Sequence, residues 1–192
     1  GAVFNKTGRL SEGLIACQKS VELDPENAEN HNNLANIFYK LDRLKEAEKS
    51  YKKVVGLTPD NAEIYNSLGN IFNKSGKFYE AEKSYIKAIA LNPNFAIAHN
   101  NLGVVLKKLG KSQDAEDSYK KAISLMPKFT NALINKGQLL FESGQFEEAL
   151  SDFELCDTKN SRSWTLSTLY ALGRIDDIYK RINRKPEVDD TN

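Results

Sequence analysis

Cysteine is almost missing from this chain: two residues in 192, Cys17 and Cys156. Both fall in stretches that read as helix, several structural units apart, which excludes a disulfide framework and fits a reducing, cytoplasmic setting. A charge of one sign is missing too. Lys plus Arg number 27 and Asp plus Glu 26, so no overall field draws in nucleic acid or an anionic bilayer. No apolar run is long enough to span a membrane, and the opening GAVFNKTGRL lacks the apolar stretch of a signal peptide. The Asn-x-Ser/Thr triplets at 5–7 and 73–75 are what an Asn-rich chain produces by chance. Catalytic signatures are absent as well: no Gly-rich phosphate loop, nucleophile elbow or cluster of metal ligands occurs. The chain is expected to be no enzyme and to hold no cofactor and no metal.

What is present is repetition. HNNLA at 31–35, YNSLG at 65–69 and HNNLG at 99–103 recur 34 residues apart, and a fixed period of this size marks a solenoid. Three units align without gaps, at 28–61, 62–95 and 96–129. Leu34, Leu68 and Leu102 share a column, as do Ala47, Ala81 and Ala115, then Tyr51, Tyr85 and Tyr119, and then Pro59, Pro93 and Pro127. A fourth unit, 130–158, keeps Gly137, Gly144, Ala149 and Phe153 but loses the proline. Within each unit the apolar residues recur twice at helical spacing, so each unit reads as a helical hairpin. Gly76, Gly110 and Gly144 occupy the turn column, with Asp42 as a tolerated substitute in the first unit; the proline stops the second helix. Small residues at Ala47, Ala81 and Ala115 let paired helices approach closely.

Tyr65, Leu68, Gly69, Phe72, Ala81, Tyr85 and Pro93 resemble the tetratricopeptide repeat, and the resemblance covers nearly the whole chain. It implies an all-α, right-handed superhelical solenoid of stacked antiparallel hairpins, with each first helix lining a concave groove. Residues 1–184 then form one solenoid. Residues 1–27 match the later part of a unit, with Gly8 in the turn column and Pro25 in the proline column, so the chain is expected to begin partway through a repeat. Residues 159–184 read as a diverged hairpin turning at Gly173 and serving as a cap, with Ile175, Ile178, Tyr179 and Ile182 on its inner face. Residues 185–192 are a polar tail or linker. His31 and His99, two units apart in one column, replace a packing aromatic and have a structural role; Trp164 belongs to the core.

The asparagines stand out. First-helix columns expected to face the groove hold Asn32, Asn33 and Asn36, then Asn66, Ser67, Asn70 and Asn73, then Asn100 and Asn101, then Asn131, Asn135 and Gln138. Asn costs several tenths of a kcal/mol per site in a helix relative to Ala. A primary amide offers donors and an acceptor, so a ladder of them can pair with both N–H and C=O of an extended peptide. The ladder is similar to one in the tetratricopeptide arm of the O-linked N-acetylglucosamine transferases, which implies that Asn33, Asn101 and Asn135 hold peptide backbone, with Ser67 interrupting that column. The equally available reading is compositional, polar residues keeping a groove wet. The chaperone-tail carboxylate clamp is disfavoured, because its basic residues are missing. Lys74 and Lys108, in column with Lys40, either edge a site for an acidic peptide or answer the helix dipole.

These features lead to a non-catalytic module binding a protein or peptide partner, with no nucleic acid and no membrane among its ligands. Two alternatives stand beside it: a substrate-recruiting arm of a larger enzyme such as a glycosyltransferase or oxygenase, and self-association through an N-terminal end where Val3, Phe4 and Leu10 lack a covering helix.

Overall fold

The structure is a computed structural model that describes residues 2–156 and 158–183, with side chains described from Leu10 onward. Those residues form eleven α-helices: α1 (Ala2–Leu23), α2 (Ala28–Lys40), α3 (Leu44–Leu57), α4 (Ala62–Lys74), α5 (Phe78–Leu91), α6 (Ala96–Lys108), α7 (Ser112–Leu125), α8 (Thr130–Glu142), α9 (Phe146–Glu154), α10 (Lys159–Ala171) and α11 (Ile175–Ile182). The chain falls into two compact units, Gly1–Ser118 and Tyr119–Asn192.

The turns inside the hairpins follow one chemistry. Asp42, Gly76, Gly110, Gly144 and Gly173 all have positive φ, between 62° and 79°. Each left-handed residue lets the next N–H reach back five residues: Arg43 to the Phe38 carbonyl, Lys77 to Phe72 and Lys111 to Leu106, all at 2.9 Å. Carbonyls that the helix ends would strand are thereby satisfied. A Cβ added at Gly110 would meet no atom within 4 Å, so Gly110→Ala isolates the backbone term. It is expected to cost about 1–2 kcal/mol in urea unfolding; no change would mean that this turn relaxes out of the left-handed region.

In the first unit, α1 packs on α2, and the hairpins α2/α3 and α4/α5 follow with α6. Leu34, Phe38, Tyr51, Leu68, Ile71, Tyr85 and Val105 belong to one buried cluster, while Ala47 and Ala81 are fully buried where helices touch. Asn27 and Asn61 cap α2 and α4, each Oδ1 accepting two backbone N–H groups at 3.0–3.3 Å. Caps of this kind contribute about 1 kcal/mol each. Lys77 reaches back to Glu48 (2.9 Å) and Lys111 to Glu82 (2.7 Å), tying successive second helices together. His31 and His99 have the structural role expected: each Nε2 donates to the carbonyl of the preceding loop proline, Pro25 at 2.8 Å and Pro93 at 3.0 Å.

In the second unit Phe153 is fully buried and stacks on Trp164, with ring centroids 5.7 Å apart, and Phe141 meets the same indole edge-on at 5.4 Å. Trp164 is a core residue. Lys136 pairs with the buried Asp152 at 3.0 Å.

Three sequence expectations are corrected. Gly8 makes no turn, since α1 runs unbroken from Ala2 to Leu23; glycine permits a left-handed residue without enforcing it, and a helix interior accommodates it at about 1 kcal/mol. Cys156 is not helical, because α9 ends at Glu154. There the missing proline is replaced by an early restart: Thr158 and Ser161 form a capping box for α10, and the buried Ser161 hydroxyl donates to the Cys156 carbonyl at 2.9 Å. The Cys156 thiol is buried, with burial and then the nearby Asp152 raising its pKa, the setting of a packing cysteine rather than of a nucleophile. Finally, α11 does not turn its apolar face inward. None of its residues is buried, and Ile175, Tyr179 and Ile182 are exposed, because Ile178 alone of that face is partly covered. Val3, Phe4, Arg184 and the tail 185–192 lie outside the described side chains, and Leu10 is half-buried.

Candidate functional site

The amide-bearing first helices of the first unit are α2, α4 and α6. Asn66, Asn70 and Asn73 recur at helical spacing along α4, and the structure gives each carboxamide oxygen an internal donor. Asn101 on α6 donates through Nδ2 to Oδ1 of both Asn66 (3.0 Å) and Asn70 (3.2 Å). Its own Oδ1 accepts from Asn100 at 3.3 Å. Lys108 donates to Oδ1 of Asn73 at 2.8 Å. The Tyr85 hydroxyl donates to Oδ1 of Asn70 at 2.8 Å, and one repeat earlier the Tyr51 hydroxyl donates to Oδ1 of Asn36 at 2.6 Å.

This arrangement changes the meaning of the asparagines. Asn66 and Asn100 were expected to face the groove, yet they are 8% and 5% exposed. The Asn66 side chain belongs to the junction of α4 with α6, where the Asn101 amide donates to it, and Asn100 supports that amide from the same helix. Asn36 and Asn70 serve buried phenols, which need a partner once removed from water. Burial holds the Tyr51 and Tyr85 hydroxyls above their ordinary pKa, so both remain neutral donors. Sequence reasoning missed these tyrosines as anchors of the ladder. The signal was there: Asn36 to Tyr51 and Asn70 to Tyr85 are both 15 residues apart, whereas Val104 and Gln138 stand 15 residues before Tyr119 and Phe153.

What remains accessible follows from what is occupied. Asn33 is exposed, and Asn32, Asn36, Asn70, Asn73 and Asn101 are half-buried. Both recorded bonds of Asn70, and the single one of Asn36, use Oδ1, so each keeps its Nδ2 donors. Asn101 has both donors engaged. Lys74 lies 2.7 Å from Asp42, whose hydrogen bond raises the lysine's pKa, and 5.0 Å from the centre of the Tyr39 ring. Lys108, besides its bond to Asn73, sits over Phe78. Both lysines are exposed and already have local partners. In the second unit Asn131 is exposed and Asn135 half-buried. Among the described residues no group of His, Cys, Asp and Glu is placed to hold a metal ion, and no helix is long and apolar enough to cross a membrane.

Family models for the tetratricopeptide repeat match residues 16–49, 35–76, 69–110, 96–129 and 130–158. The chain belongs to the tetratricopeptide repeat family. As such it is an all-α solenoid-type protein and a protein-interaction module. It is similar to MamA, at 26% identity over 90% of this chain and 94% of that one, with a TM-score of 0.71. YrrB, described as a tetratricopeptide repeat protein with an unusual peptide-binding site, is 26% identical over 88% of this chain and 86% of that one, with a TM-score of 0.66. Pseudomonas aeruginosa PilF shares the fold at 20% identity and a TM-score of 0.79, over 94% of this chain and 84% of that one. No curated protein matches the sequence.

Proposed function

We propose that this chain is a non-catalytic adaptor that takes an extended peptide on the first-helix surface of residues 28–108, holding backbone carbonyls of the ligand with the amide donors of Asn36 and Asn70. The observation that carries this reading is the orientation of those two side chains. Each carboxamide oxygen is turned inward to a buried phenol, which fixes the rotamer and leaves N–H groups for a ligand. Donors held in place before binding lose little side-chain entropy when they engage. A surface of this kind reads carbonyls rather than alternating N–H and C=O groups, a narrower role than an unconstrained amide ladder would have. The similarity to YrrB, a protein with a peptide-binding site, supports the same reading.

The test uses a phage-displayed library of random peptides, followed by titration calorimetry of the enriched sequences. The informative variant is Asn36→Asp with Asn70→Asp. A carboxylate still accepts from Tyr51, Tyr85 and Asn101, so the fold is kept, but its outward atom is an acceptor that repels a peptide carbonyl. Leaving a ligand group unsatisfied costs about 1–3 kcal/mol, so affinity is expected to fall roughly tenfold or more. Unchanged affinity, or a library from which nothing is enriched, defeats the proposal.

A further inference from the structure

The surface that carries Asn36 and Asn70 changes character at α6. On α2 the exposed Glu29 and, two turns later on the same face, Asn36 occupy two columns of the repeat; Glu63 and Asn70 occupy them on α4. In the same two columns α6 carries Ile97 and Val104. Neither is needed to pack the helix, which buries Ala98, Val105 and Leu106 on its other side. Ile97 is 44% exposed and Val104 is half-buried. Between them on that face stands Asn101, whose two amide hydrogens are already given to Asn66 and Asn70. The outward face of α6 therefore offers a ligand apolar contact where α2 and α4 offer amide donors.

Resting on the amide reading above, we infer that α6 sets the sequence preference of that site: the ligand is a peptide whose segment crossing α6 is aliphatic, with side chains on Val104 beneath the chain and on Ile97 beside it. Val104 continues the column of Asn36 and Asn70, so a peptide held by those two amides passes over it. The contacts of Asn101 with Asn66 and Asn70 fix α4 and α6 as neighbours. Packed helices lie about 8–10 Å apart and an extended chain advances about 3.3 Å per residue. The segment over α6 thus begins roughly three residues from the one whose carbonyl Asn70 holds, on the side away from Asn36. A polar side chain placed there would lose water without gaining a partner, whereas an aliphatic one covers exposed apolar surface. A single aliphatic residue in water is ordinary. Two on one face, continuous with the amide donors and flanking an amide whose hydrogens are engaged, make a subsite.

The peptides enriched from the phage library test this by a double-mutant cycle in titration calorimetry. They are expected to share aliphatic residues at one end. Each is then compared with a copy carrying serine at those positions, against the original full chain and against an Ile97→Glu, Val104→Asn variant. That variant gives α6 the residues that α2 and α4 carry in the same columns, and an acid in the first turn suits the helix dipole. Serine is expected to weaken binding roughly five- to tenfold for the original chain and less than twofold for the variant. Should circular dichroism show the double variant unfolded, Ile97→Glu alone, at the exposed position, carries the same comparison. Enriched peptides with no aliphatic preference, or an equal serine effect on both chains, overturn this inference while the amide reading stands on its own Asn36→Asp, Asn70→Asp test. A library from which nothing is enriched removes both.

Discussion

Replacing Tyr85 with alanine is expected to lower the free energy of unfolding by about 3–5 kcal/mol, the cost of emptying the space of a large buried aromatic. Its ring is fully buried, and its hydroxyl closes the hydrogen-bond network through Asn70. The same ring explains the glycine opposite. A Cβ at Gly69 would lie 2.6 Å from Cε1 of Tyr85, closer than real contacts allow. Gly69→Ala therefore sets overpacking, about 1–3 kcal/mol, against a helix-propensity gain of about 1 kcal/mol, and a net loss is expected. In the Tyr85→Ala background the clash is gone and the propensity gain remains, so the same glycine change becomes stabilising. Urea unfolding of the two single variants and the double variant measures the coupling. Additive effects would mean that α4 and α5 move apart freely, contrary to the packing described. Ala35 holds the corresponding position opposite Tyr51 in the preceding repeat, so that hairpin has settled around a methyl group where this one has settled around a hydrogen.

Raising the pH above about 10 is expected to unfold the protein cooperatively. Burial raises the pKa of Tyr51, Tyr85 and Tyr119 above the ordinary value of 10.0. Because each folded pKa lies above its unfolded counterpart, the stabilisation is complete below pH 10. It is lost as pH climbs from the unfolded toward the folded value, where the unfolded chain gives up protons that the folded chain retains. The slope is about 1.4 kcal/mol per pH unit for each phenol involved. Of the eight tyrosines, Tyr79, Tyr170 and Tyr179 are exposed and can ionise without unfolding, so helix loss by circular dichroism should coincide with the last part of the rise in phenolate absorbance, that of the buried hydroxyls, which ionise only when released. Tyr85→Phe should make the transition shallower. Completion of the phenolate absorbance of all eight tyrosines before helix loss would show that the buried rings are open to water.

Much of the architecture was legible in one sequence because the repeat supplied its own alignment. A left-handed turn needs glycine or a tolerated stand-in, and Asp42, Gly76, Gly110 and Gly144 marked it four times over. The alanine column predicted close helix contact, and Ala47, Ala81 and Ala115 are fully buried. Where the pattern ran out, reading by analogy failed. Gly8 looked like a turn because it occupied the turn column, but a single glycine cannot stop a helix whose hydrogen bonds continue on both sides. Cys156 looked helical because its column was helical elsewhere, and only the capping box at Thr158 and Ser161 showed that the chain restarts early.

The sequence by itself determined the periodicity, the turn positions and the apolar columns, because these depend on interactions within a few residues or one repeat. Only the tertiary structure decided what the asparagines do. A carboxamide is neutral and can face either way, so composition leaves its role open. Its role is settled by which donor stands opposite, and Tyr51, Tyr85, Asn101 and Lys108 come from other helices. The same holds for α11, whose amphipathic pattern reads as a cap until the fold shows which face has a neighbour.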